Sequence, residues 1–118
     1  MEEKKTIVLD FDGVIHSFIS GWKGANHIPD PPVPYVAEAI DTLKEAGYEV
    51  VIWSARCTYL NGKQAIRDWL KQWDIIVDNV VSIKPSCICF VDDRTITFKG
   101  DWRQTIIDIL NFKGYLDK

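Results

Sequence analysis

The sequence predicts an α/β domain built around a parallel sheet. Three observations carry this. Short apolar runs, at 7–9, 50–53 and 87–91, alternate with stretches whose apolar residues recur at helical spacing. The runs are apolar on successive positions, which suits strands covered on both faces. Polar residues able to do chemistry follow the strands, at Asp10, Ser54 and Asp92, where a parallel sheet presents them along one edge.

The chain has 118 residues, enough for one core, so a single domain over 1–118 is expected. A first strand over 5–10 runs into Asp10, Asp12 and Gly13. Then Gly21, Gly24, Pro29, Pro31, Pro32 and Pro34 break every period, and the reading is a long loop with a flap at 16–30. Phe18 and Trp22 inside it imply that it folds over something. A first helix begins near Pro34, with Val36, Ala39, Ile40 and Leu43 as its apolar stripe, and ends at Gly47. A second strand over 48–53 leads to Ser54, Ala55 and Arg56. A second helix over 62–73 carries Ala65, Ile66, Trp69, Leu70 and Trp73 on one face.

A short strand near 80–82 precedes Lys84. A fourth strand over 87–91 leads into Asp92, Asp93 and Arg94, and an extended piece follows at 95–98. Asp101 reads as the N-cap of a last helix reaching about residue 112, with Trp102, Ile106, Ile109 and Leu110 expected to face inward. The net charge of −3 implies no basic face of the kind a dedicated nucleic-acid binder carries. No apolar run approaches membrane-spanning length and the polar N-terminus does not read as a signal peptide, so a cytoplasmic protein is expected. Cys57, Cys87 and Cys89 fit neither a disulfide framework nor a usual zinc spacing, and read as small packed hydrophobes.

Sorted by position, the polar residues form a constellation. Asp10, Ser54, Lys84, Asp92 and Asp93 come from four separate elements and meet at one sheet edge. Crowded carboxylates repel and call for a cation, and an all-oxygen set suits Mg²⁺. Lys84 and Ser54 would offer a charge and a hydrogen bond to a phosphate held there. Asp10 is the candidate nucleophile, able to attack phosphorus in line, and Asp12 the candidate acid and base. Arg56 and Arg94 follow motif positions, and the sequence leaves open whether they bind substrate phosphate or pair with the acids. His16 is a candidate substrate contact, or a loop histidine with no such role. Trp22 either stacks on a substrate ring or packs under the loop.

These residues resemble the haloacid-dehalogenase-like (HAD) hydrolases. Asp10-Phe11-Asp12-Gly13-Val14 is similar to the D-x-D-x-[TV] motif, and Val50-Val51-Ile52-Trp53-Ser54 to the apolar run ending in Ser or Thr. Lys84 matches the lone basic motif, and Ile88-Cys89-Phe90-Val91-Asp92-Asp93 the strand ending in an acidic pair. The resemblance implies a three-layer Rossmann-like fold with a mainly parallel central sheet, and a Mg²⁺ site. Asp10, the Asp12 backbone carbonyl and the Asp92/Asp93 pair would hold the ion, with Asp93 the expected direct ligand and Asp92 in support. Aspartate at position 12 implies the phosphatase branch, a phosphomonoester hydrolase working through an aspartyl-phosphate. The short spacings leave no room for a cap domain, only for the flap, so bulky phosphoesters fit the expectation, a nucleotide or nucleic-acid end first among them. The alternatives are a weak or silent phosphate-binding module on the same fold, or a phosphotransferase. Oligomeric state is not legible.

Overall fold

The computed structural model describes residues 5–112; the polar start at 1–4 lies outside them. The described residues are α/β, with four strands in one all-parallel sheet and three helices. In chain order these are β1 (Thr6–Leu9), α1 (Val36–Glu45), β2 (Glu49–Trp53), α2 (Gly62–Gln72), β3 (Asn79–Val81), β4 (Cys89–Val91) and α3 (Trp102–Leu110), with a 3-10 turn at Ala55–Thr58 after β2. The predicted order of strands and helices is the observed one. The extended piece at 95–98 forms no strand.

The sheet order is β3-β2-β1-β4. From β1 the chain steps through α1 to β2 and through α2 to β3, then returns past β2 and β1 to place β4 on the far side. Strand order therefore reverses between β1 and β4, and a parallel sheet opens a crevice at the carboxyl ends of such a pair.

The register explains the core. Ile7 lies beside Val50, and Leu9 beside Ile52, which lies beside Val80. Side chains alternate across a strand, so these share one face. That face packs with Ile40 of α1 and Ile66, Trp69 and Leu70 of α2 into one buried cluster. Fully burying each such side chain contributes roughly 1.5–3 kcal/mol. On the opposite face Val8 sits between Val51 and Phe90, and the Phe90 and Trp53 rings lie 5.5 Å apart.

Two expectations need correction. Trp102, Ile106, Ile109 and Leu110 do not face inward: each is more than half exposed, and Thr105 is the buried residue of α3. Helical spacing of apolar residues records that a face can be buried, not that this chain buries it. Asp101 does cap the helix, its carboxylate accepting from the Arg103 and Gln104 amides. In addition Cys89 is exposed and Cys87 only half-buried, because β4 is an edge strand of three residues. Among the described residues no helix is long and apolar enough to cross a membrane.

Candidate active site at the β1–β4 switch point

Strand register brings the acids together. Leu9 pairs with Val91, and the Asp10 amide donates to the Val91 carbonyl at 2.8 Å, so the chain leaves β1 and β4 side by side. Asp10, Asp92 and Asp93 each offer a carboxylate oxygen, all within 4.8 Å of one another. Burial, and then the charge of Asp92, push the Asp10 carboxyl up to about 7. Burial, then the hydrogen bond with Asp92, raise Asp93 in the same direction.

The residues fit a divalent cation on two grounds. Asp93 Oδ1 is buried with no hydrogen-bond partner, an expensive state that a cation would relieve. Gly13, at φ +86°, leaves the space that Asp93 fills: a Cβ there would overlap the Asp93 carboxylate. Asp10, Asp92 and Asp93 are the side chains that would hold the ion. Three hard oxygen ligands at an open sheet edge suit Mg²⁺, which keeps several waters.

Asp12 is built into a different network. After β1 the amides of Val14, Ile15 and His16 all turn back to the Phe11 carbonyl, a tight turn that carries His16 beneath Asp12. His16 Nδ1 lies 2.9 Å from Asp12 Oδ1, and the Asp30 amide donates to His16 Nε2 at 3.1 Å. An amide can only donate, so the ring proton sits on Nδ1 and points at Asp12. From the other side Arg56 donates through Nε to Asp12 Oδ2 at 2.8 Å and through Nη2 to Oδ1 at 3.0 Å. Burial alone would raise the Asp12 carboxyl; the hydrogen bonds from His16 and Arg56 outweigh it and hold the group below the usual carboxylate range.

The remaining Arg56 donor group, Nη1, fastens the flap, reaching the carbonyls of Gly24, Ala25 and His27 at 2.9, 3.0 and 3.2 Å. The flap is a closed loop. Ser17 donates to Pro31 and Val33 to Ile15 at its stem, while Ser20 bonds the Asp30 carboxylate through both its amide and its hydroxyl. The Trp69 indole of α2 donates to the Asp30 carbonyl. Arg56 and His16 are both fully buried. Arg56 thus takes the second of its two expected alternatives, pairing with an acid, and together with His16 it holds Asp12 and the flap in place.

Comparison with solved structures agrees with the architecture. The chain is similar to an MCSG target protein from Vibrio cholerae, at 24% identity and a TM-score of 0.55, over 78% of this chain and 82% of that one. It is also similar to a chain of the Pnkp1/Rnl/Hen1 complex, at 16% identity and a TM-score of 0.57, over 97% of its own length and 37% of the other. A third likeness, to a chain of the Pnkp1/Rnl/Hen1 RNA repair complex, has 16% identity and a TM-score of 0.50, over 94% and 33%. This chain spans about a third of those two chains. At such identities the shared property is the fold. No protein-family model matches the chain, and no curated protein does.

The other expected site residues fall as follows. Ser54 is buried at the end of β2, one residue past Trp53, and its Oγ accepts from the Arg56 amide at 3.2 Å. Accepting that bond leaves the hydroxyl proton to donate. Lys84 is exposed, with Nζ 4.5 Å from the centre of the Phe90 ring, on the sheet face away from α1 and α2. Arg94 is exposed, and its amide donates to Asp92 Oδ1 at 3.0 Å. Cys57 is half-buried, and burial pushes its thiol up, away from the reactive thiolate.

Sequence reasoning missed Asp30, which joins His16, Ser20 and Trp69, and Tyr59, which stands beside Trp22. An aspartate closing a proline-rich loop was the available signal for Asp30. Nothing in the sequence marks the flap carbonyls, since every residue has one.

Proposed function

We propose that this chain is a Mg²⁺-dependent phosphomonoester hydrolase of the HAD-like kind, acting through an aspartyl-phosphate on Asp10. The observation that carries the reading is the convergence of Asp10, Asp92 and Asp93 at the switch point, with one Asp93 oxygen buried and unpartnered. Carboxylates crowded this way destabilise the fold unless a cation or protons neutralise them, and such perturbed groups cluster at functional sites. Bound there, Mg²⁺ would screen the carboxylates and the phosphate so that anion can approach anion.

The chain's own residues supply the rest. The Asp10 carboxylate attacks phosphorus opposite the ester oxygen, the P–O bond to the leaving group breaks, and the phosphoryl group rests on Asp10. Water then attacks the same phosphorus, gives its proton to Asp12, and releases phosphate and free Asp10. Asp12 as found, ionised between His16 and Arg56, suits the second step. The first step needs Asp12 to pass a proton to the leaving oxygen, the proton that water returns to it in the second step, and the His16–Arg56 pair opposes Asp12 holding it. A leaving group that needs little protonation, or one whose binding draws Arg56 away from Asp12, favours turnover. The fold shared with the Pnkp1/Rnl/Hen1 RNA repair complex supports a nucleotide or an RNA end as the carrier of the phosphate.

The engagement of both Asp12 oxygens favours a second reading, a phosphate-binding module with little or no turnover. A panel of phosphomonoesters separates the two. With Mg²⁺, p-nitrophenyl phosphate and nucleotides should be hydrolysed, and EDTA should stop the reaction. Saturable phosphate binding without hydrolysis of any ester would select the module.

A further inference from the structure

Trp22, on the flap, stands with its ring centre 4.6 Å from the Arg56 guanidinium carbon. Tyr59, which ends the 3-10 turn after β2, stands beside it, with the two ring centres 5.9 Å apart at an interplanar angle of 49°. The same guanidinium holds both oxygens of Asp12, so the aromatic pair lies one functional group away from Asp12, the proposed acid and base. Both rings nevertheless remain in water, Trp22 49% and Tyr59 56% exposed. The three flap carbonyls on Arg56 fix the Trp22 segment before any ligand arrives, so stacking on it carries little ordering cost.

We infer that Trp22 and Tyr59 form a stacking platform for the base of a nucleoside phosphate, with the phosphate itself at Asp10. The inference rests on the phosphatase reading for the phosphate end, and names the leaving group. A base offers a flat π-face to such a platform, and aromatic side chains hold bases this way without reading their identity. The cation behind the indole draws electron density from the open face, which favours an electron-rich purine. A simple alkyl phosphate has nothing to place there.

The test compares adenosine 3′-phosphate, a 3′-phosphorylated dinucleotide, glucose 6-phosphate and glycerol phosphate, on the wild type and on Trp22→Ala, Trp22→Phe, Tyr59→Ala and Tyr59→Phe. The wild type should prefer adenosine 3′-phosphate over glycerol phosphate at least tenfold in kcat/KM. The alanine variants should collapse that ratio towards one, mainly through KM, and the phenylalanine variants should restore most of it. A further gain on the dinucleotide would identify a polynucleotide end as the source of the base, and no gain a free nucleotide; both keep the platform. A wild type that turns over all four esters alike, or a preference untouched in the alanine variants, overturns the platform and leaves the phosphatase reading standing. NMR titration with adenosine alone follows the Trp22 indole and Tyr59 ring signals independently of turnover. Saturating shifts in an inactive protein would support the platform against the phosphatase reading; no shifts, or equal shifts with glucose, would overturn it.

Discussion

Arg56 concentrates more of the site's structure than any other residue. It is fully buried, and five hydrogen bonds from Nε, Nη1 and Nη2 serve Asp12 and three flap carbonyls. Arg56→Ala leaves the Asp12 carboxylate and those carbonyls without their donor, and breaking a buried pair in this way costs about 3–5 kcal/mol. Arg56→Lys should recover only part of it, because an ammonium cannot span both carboxylate oxygens and the flap. Denaturant unfolding of the two variants measures this.

Asp10 carries the opposite strain. Its folded-state value is about 7 against the ordinary 3.8, so between those values the folded chain keeps a proton that the unfolded chain has released. The contribution of Asp10 to the stability of the metal-free protein should therefore be largest below about pH 4 and be lost as the pH rises towards 7, with Asp93 acting in the same direction, while the lowered Asp12 carboxyl acts in the opposite direction and loses its contribution as the pH falls below the ordinary carboxylate value. Thermal melts should show Mg²⁺ raising Tm strongly at about pH 7.5 and hardly at all at about pH 4.5, where protonated acids no longer need the ion.

At the scale of elements, the strand ends were legible because apolar runs followed by acids are local in the chain. Asp10 and Asp92 could be placed at strand ends along one edge of the sheet from sequence; that β1 and β4 are neighbours, with the register between Leu9 and Val91 setting the acids side by side, is seen only in the structure. That Arg56 pairs with an acid was one of two open readings, and that the acid is Asp12, 44 residues away, was not legible, because a side-chain pair across the fold leaves no periodic mark. The flap's stem was equally hidden, since its bonds are between backbone groups. Gly13 belongs to this scale too: the turn after β1 needs positive φ there, and Asp93 occupies the space a Cβ would take. Gly13→Ala should strain the turn and displace Asp93, lowering Mg²⁺ affinity at least tenfold in calorimetric titration while the sheet's circular dichroism is kept.

For the molecule as a whole, the parallel sheet and the helices α1 and α2 were readable because their apolar faces meet one another in a single core. The last helix was readable as a helix but not in its packing. Its stripe of Trp102, Ile106, Ile109 and Leu110 stays in water among the described residues, so the apolar period overstated its burial. Stability should differ accordingly along the chain. Amides of β1 and β2 should exchange only on global unfolding, and those of α3 orders of magnitude faster, as hydrogen exchange followed by mass spectrometry or NMR would record. Protection of α3 equal to that of β2 would mean that the helix docks in solution.

Phosphoryl transfer in this site depends on Asp10 as nucleophile beside a divalent ion. Its most direct test is the steady-state hydrolysis of adenosine 3′-phosphate by the wild type and by Asp10→Asn, each with Mg²⁺ and with EDTA. The account expects phosphate release that requires Mg²⁺ in the wild type, and a loss of at least about a thousandfold in Asp10→Asn with its melting transition intact. Turnover that persists in EDTA, or survives in Asp10→Asn, would contradict it.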